Sequence, residues 1–234
     1  RYNPELIAAK KFVDTGFLGK PYFAEAVDGG RRRGIPGWGS GAGPTFISKA
    51  MASGGATLDI GVYALDNALY LLDHPRPISV DAATWGYLGK DEAASKVVGT
   101  WAWDANKFEV EDFATAFIRF EGGLVMLFKE SWAMHAETLG NPLLLGTKGG
   151  VTIKDGVPIL YSDMNGYMVN VTPQGLPKID TFTQKIVAFV DAIKNNKASP
   201  IDPRGIVIMH YIIDALYQSS GQGAEVAVKL PQDL

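Results

Sequence analysis

The chain contains no cysteine. That absence removes disulfides, thiolate zinc clusters, redox dithiols and a thiol nucleophile together, and it fits a reducing compartment. Long apolar runs are also missing: nothing approaches the roughly 18 residues that span a bilayer. The first residues lack the basic-then-apolar order of a signal peptide. A soluble, cytoplasmic protein with no membrane partner is expected. Nor is there an excess of positive charge. Twenty-two Lys and Arg stand against 25 Asp and Glu, for a net charge of −3, and no basic tail could neutralise a run of phosphates, so nucleic acid is not an expected partner. No G-x-S-x-G elbow and no P-loop occur. His74, His135 and His210 share no metal-ligand spacing, and no metal is expected.

What is present is an ordinary globular composition, 47% hydrophobic over 234 residues, enough for one large core. The segment RYNPELIAAKKFVDTG reads as a capped helix, with Asn3 as N-cap, Pro4 at the first helical position, Glu5 in the first turn and Gly16 as the stop. KPYFAEAVDGG alternates like a strand, and RRRGIPGWGSGAGP is a long loop. ISVDAATWGY has strand character, and DEAASK reads as a polar connection. A hairpin over EDFATAFIRFEGGLVMLFKESWA comes next, then strands in NPLLLG, GVTIKDGVPILYS and GYMVNVTP. Helices over TFTQKIVAFVDAIKNN and PRGIVIMHYIIDALYQSSG and a short strand at AEVAV close the chain. Helices at both ends of a run of hairpins predict one α+β domain over residues 1–234.

The stretch GGATLDIGVYALDNALYLLDH is the informative one. Leu58, Val62, Leu65, Leu69 and Leu72 line one helix face, while Asp59, Tyr63, Asp66 and Tyr70 repeat one residue along, about 100° round the axis. No Lys, Arg or Glu lies between Lys49 and Arg76, so the helix is apolar nearly all round and should be largely buried. A buried carboxylate costs several kcal/mol unless it finds a cation, a set of donors or a water-filled cleft. Two readings of Asp59 stand. In one it sits in the first turn, stabilised by the helix terminus by about 0.3 to 1 kcal/mol, with Tyr63 a core aromatic. In the other it lines a binding cleft.

GGATLDIGVYALD, with RYNPELIAAKKFVDTGFLGKPYF before it and IIDALYQSSGQGAEV after it, resembles the Gfo/Idh/MocA family, which includes glucose-fructose oxidoreductase and inositol dehydrogenase. The likeness covers essentially the whole chain, but only the C-terminal half of such an enzyme. It implies an α+β fold with a large open, predominantly antiparallel sheet and helices packed on one face. It also implies that a Rossmann domain binding NAD or NADP precedes this chain and is missing from it, so no cofactor-binding residue is expected here. The family's Asp-x-Gly-x-His-x-x-Asp pattern opens an active-site helix. Asp59 and Gly61 match it and Asp66 matches the last acidic position, while Tyr63 stands where His is commonest, a variant that glucose-fructose oxidoreductase shares.

The resemblance makes the whole protein an oxidoreductase that moves a hydride between nicotinamide and a sugar, polyol or related carbonyl or carbinol. Asp59 and Tyr63 would be its catalytic residues. A free phenol titrates near pH ~10, so Tyr63 would need a cation to act as a base; the lysine of the family's Glu-Lys-Pro motif, absent from this sequence, would supply it. Substrate contacts would come from Asp66, from His135 after ESWAM, from Trp38 as a platform for a sugar ring, and from Arg33, whose fork suits a carboxylate or phosphate. For Trp38 the competing reading is packing; for Arg31 to Arg33 it is salt bridges or pairing at a subunit interface. The open sheet would be covered in a homodimer or homotetramer. The alternative function is a non-catalytic oligomerisation or carbohydrate-binding module that uses Trp38, Trp85, Trp101, Trp103 and Trp132. GWGSGA, Gly37 to Ala42, satisfies the permissive dinucleotide pattern G-x-G-x-x-A but lacks the strand before it and the helix after it.

Overall fold

The computed structural model describes residues 1–29, 34–36, 43–97 and 101–231. Pro4 presets the first turn of α1 (Pro4–Asp14), where its missing N–H costs nothing. Asn3 has the extended backbone of an N-cap but makes no side-chain capping bond. The helix stops where Gly16 takes φ +79°, a conformation open to glycine.

Among the described residues, nine strands form a single sheet: β1 (Pro21–Asp28), β2 (Pro77–Trp85), β3 (Phe113–Phe120), β4 (Val125–Ser131), β5 (Leu143–Gly146), β6 (Gly149–Lys154), β7 (Val157–Met164), β8 (Tyr167–Val171) and β9 (Val226–Ala227). Their order is β8-β7-β6-β5-β1-β4-β3-β2-β9. The local turns are legible chemistry. Asp155 and Gly156 both take positive φ between β6 and β7, as do Asn165 and Gly166 between β7 and β8, which matches the twist of a two-residue hairpin. One pair departs from the succession of hairpins: β1 runs parallel to β4, with Phe23 opposite Val125 and Ala26 opposite Phe128.

Period-2 alternation sends Ala24, Ala26, Met126, Phe128, Ala116 and Ile118 to one face, all of them buried. That face is covered by α1, by α3 (Val62–Leu71) and by α6 (Pro203–Gln222), which pack on the sheet and on one another. Leu65, Leu69, Ile212 and Leu216 complete the core there. The opposite face presents Phe23, Val125, Leu127 and Phe117, each only half-buried.

Two short helices, α2 (Lys49–Ala52) and α4 (Glu92–Ser95), flank the second, smaller core around Trp103, Phe108 and Trp132. The polar DEAASK segment is thus a helical turn, nucleated by the Asp91 carboxylate, which accepts the Ala93 N–H at 2.9 Å. The remaining helix, α5 (Thr181–Lys194), is capped by Asp180, which accepts the Phe182 and Thr183 N–H groups. Ala192 is its buried residue, while Phe182, Ile186, Phe189 and Ile193 are all more than half exposed.

Candidate functional site

The chain enters the site through two glycines pressed against the sheet. The Gly55 N–H donates to Glu111 Oε1 at 2.9 Å, the Thr57 N–H to the same oxygen at 3.0 Å, and the Ala56 N–H to the Glu111 backbone oxygen at 3.1 Å. A Cβ on Gly55 would overlap that backbone oxygen, and one on Gly54 would overlap the Tyr217 phenol. The Gly-Gly pair therefore reflects close backbone approach. Tyr217 Oη, on α6, also donates to Glu111 Oε1, at 2.8 Å.

Beyond the glycines the chain is not the single regular helix that the periodicity predicts. Thr57–Gly61 form one turn of π-helix before α3 begins at Val62. Such turns are rare and concentrate at functional sites. The turn is docked on β4 and its continuation at alternate residues. Gly61 lies over Phe128 and Glu130, where a Cβ would come within 2.7 Å of Phe128 Cζ and 3.1 Å of Glu130 Cγ. Thr57 Oγ1 donates to Glu130 Oε1 at 3.2 Å. Asp59 Oδ2 accepts the indole N–H of the fully buried Trp132 at 2.8 Å.

The donor that the misplaced carboxylate needs is thus an indole rather than a cation. Tyr63, four residues on, is 63% exposed, so it is not the core aromatic of the structural alternative. Asp66 is held by Arg1 through a bidentate ion pair, Nε to Oδ2 at 3.0 Å and Nη2 to Oδ1 at 2.7 Å, and Arg1 also lies over the Tyr70 ring. Asp66 is thus ion-paired within the chain. His135 is exposed in the segment after β4. Trp38, Arg33 and the Gly37 to Ala42 segment lie outside the described residues.

Three buried carboxyls beneath the π-turn, Glu111, Asp112 and Glu130, were not among the sequence candidates. The pattern contained a signal for the last: Met126, Phe128 and Glu130 alternate onto one face, so the glutamate shares the core-facing register of its neighbours. Burial, then the Glu111 charge, pushes the Glu130 carboxyl well above the ordinary range, against the Thr57 hydrogen bond. Burial raises Asp112 to about 6, against the Gly89 N–H that it accepts at 2.6 Å.

A raised folded-state value for an acid means that its stabilising contribution is full below the unfolded value and is lost as pH rises through the folded one. The wild-type denaturation midpoint is therefore expected to fall between about pH 4 and 6. Asp112→Asn, followed by urea titration at several pH values, is expected to flatten that part of the profile. An unchanged slope would discharge Asp112 from the role.

Gly54, Glu111 and Tyr217 also border a cleft of about 490 Å³ with Lys49, Trp85 and Lys90. Asp59, Tyr63, Asp66 and His135 do not line it. Among the described residues, no group of three or more His, Asp and Glu side chains could hold a metal ion, and no helix is long and apolar enough to cross a membrane.

The chain is similar to several known proteins. The chain is 28% identical over 218 residues to the D-glucoside 3-dehydrogenase of Escherichia coli K12, an alignment covering 92% of this chain and 58% of that protein. Its fold is similar to that of the aldose-aldose oxidoreductase of Caulobacter crescentus, solved with glycerol, at TM-score 0.72 and 21% identity over 97% of this chain and 61% of that one. It is also similar to a levoglucosan dehydrogenase solved with NADH and levoglucosan, at TM-score 0.73 and 18% identity over 99% and 65%. The chain thus spans about three fifths of the length of these relatives. Residues 6–152 match the GFO/IDH/MocA C-terminal domain, and the chain belongs to that family.

Proposed function

We propose that this chain is the substrate-binding and assembly half of an NAD(P)-dependent oxidoreductase acting on a sugar, polyol or related carbonyl or carbinol compound. The observation that carries the reading is Asp59, fixed by a buried indole on a π-turn, with the phenol of Tyr63 exposed one turn further on. The names of the relatives, D-glucoside 3-dehydrogenase and levoglucosan dehydrogenase among them, support the substrate class.

The described residues do not fit a dinucleotide. A pyrophosphate is held where a buried strand leads through a Gly-rich turn into a helix of a parallel sheet. Here the one parallel pair among the described strands is β1 with β4, and two antiparallel strands intervene between them in sequence. The reading therefore assigns NAD(P), and the hydride chemistry it supplies, to protein outside this chain. The uncovered apolar side of α5 supports a larger whole. In this reading Tyr63 exchanges the proton at the substrate oxygen, and Asp59, held by Trp132, orients the substrate hydroxyls. Asp66 stiffens the helix through Arg1, and His135 stands at the rim.

The test is calorimetric titration of NAD+ and NADP+ into this chain and into a version extended upstream through a dinucleotide-binding domain. Binding by the longer protein alone is expected. Binding by the short chain would reopen the role of the Gly37 to Ala42 segment.

Assembly is a second role, favoured by the half-buried Phe23, Val125, Leu127 and Phe117 on the open sheet face. Sedimentation is expected to show a dimer or tetramer, and a strictly monomeric species would count against that role. The carbohydrate-module alternative is less well supported. Trp103 and Trp132 are buried and Trp85 packs on Phe113 at 5.6 Å, so these three do not form a row of open platforms.

A further inference from the structure

Glu130 is an expensive residue in its place. It is fully buried, and its Oε2 has no hydrogen-bond partner among the described residues. An unpaired carboxyl oxygen in such a site costs about 1 to 3 kcal/mol, and more if charged. A leucine or methionine would fill the same core-facing position of β4 without that penalty, so packing alone does not account for the glutamate.

Its neighbours suggest an account. Phe128, Glu130 and Trp132 are spaced two apart and meet three residues of the π-turn that are also spaced two apart: Gly61, Thr57 and Asp59 respectively. Glu130 is the middle member and reaches towards both ends of the turn: its Oε1 accepts the Thr57 hydroxyl, and its Cγ lies 3.1 Å from where a Cβ on Gly61 would stand. We propose that Glu130 is a positioning residue for Asp59, the buried stop against which both ends of the π-turn are seated so that its middle presents Asp59 to the Trp132 indole.

The groups around it include Glu111, Asp112 and Asp28, all acidic, the Tyr217 phenol and the Thr57 hydroxyl. Burial first, and then the surrounding acidic charge, pushes the Glu130 carboxyl well above the ordinary range. In its protonated form the acid accepts the Thr57 hydrogen bond without adding a further charge to this acidic surrounding. The proposal rests on the reading of Asp59 as the group that orients substrate, and its test keeps the two apart.

The first readout needs no activity: the indole N–H resonance of Trp132 in this 234-residue chain, assigned with Trp132→Phe, with Asp59→Ala as the reference for a lost bond. Glu130→Ala is expected to move the resonance to the Asp59→Ala position. Thr57→Val, a milder change that decides the matter if Glu130→Ala fails to fold, is expected to move it part of the way. Glu130→Gln, a neutral isostere, is expected to leave it in place. A folded Glu130→Ala or Thr57→Val protein with the wild-type resonance would overturn the proposal, as would a Gln variant displaced as far as Ala.

The second readout is turnover by the upstream-extended enzyme. There kcat is expected to fall about tenfold or more in Glu130→Ala and Thr57→Val and to be restored in Glu130→Gln, with dinucleotide KM unchanged. A moved indole with undiminished kcat would support the positioning role and refute the catalytic reading of Asp59 instead.

Discussion

Replacing Tyr63 with phenylalanine is expected to lower kcat of the upstream-extended enzyme by about 10²- to 10⁴-fold, the usual worth of one positioned acid–base group. The phenol is 63% exposed and Tyr63 is not among the buried core residues, so stability should stay within about 0.5 kcal/mol of wild type. Dinucleotide affinity should likewise be unchanged, since nothing in the described chain fits that ligand. The three measurements belong together: steady-state kcat, calorimetric NAD(P) binding and a thermal melt. A loss of kcat accompanied by a fallen melting temperature would mean that the ring is structural after all. An unaltered kcat would remove Tyr63 from the proton path.

Gly55→Ala is expected to be the most damaging single-methyl change at the entry to the site, costing about 3 kcal/mol or more. Overpacking costs that much when the obstruction cannot move. Here the added Cβ would overlap the Glu111 backbone oxygen and lie 2.8 Å from Val110 Cγ2. Relief by backbone shift would break the hydrogen bonds that Gly55, Ala56 and Thr57 make to Glu111. Chemical denaturation of the alanine variant measures the cost directly. Gly16→Ala is the internal control: its added Cβ meets nothing within 4 Å although φ is +79°, so its cost is conformational strain alone, roughly 1 to 2 kcal/mol. Equal costs at the two positions would deny the close approach at Gly55.

The elements were legible where the chemistry is local. Pro4 and Gly16 delimit α1, and Asp155-Gly156 marks a hairpin because no other pairing of residue type and backbone is as economical there. The family pattern singled out Asp59 and Tyr63, and the oddity of a carboxylate in an apolar helix predicted that Asp59 must find a cation, a set of donors or a water-filled cleft. Which donor could not be read. Trp132 lies 73 residues further on, at the end of β4, and only the fold brings the two together. The π-turn was illegible for a related reason. Its apolar spacing is that of an ordinary helix, and the extra residue in the turn accompanies contacts with Glu111, Phe128 and Glu130 that come from elsewhere in the chain. Likewise the ion pair of Asp66 could not be read, because Arg1, its partner, is 65 residues away.

The place of β1 in the sheet also bears on how the molecule comes to exist. It is the earliest of the described strands in sequence, yet it lies between β5 and β4 and joins the two halves of the sheet. The hairpins β3–β4 and β6–β7 can close from neighbouring sequence, within microseconds by the usual scale. Phe23 must wait for Val125 and Leu145, and pairings so distant along the chain are the slow ones. Until they form, both edges of β1 are open. Refolding is therefore expected to proceed by two preassembled blocks captured around a late central seam, with yield set by how long that seam stays unpaired at a given protein concentration.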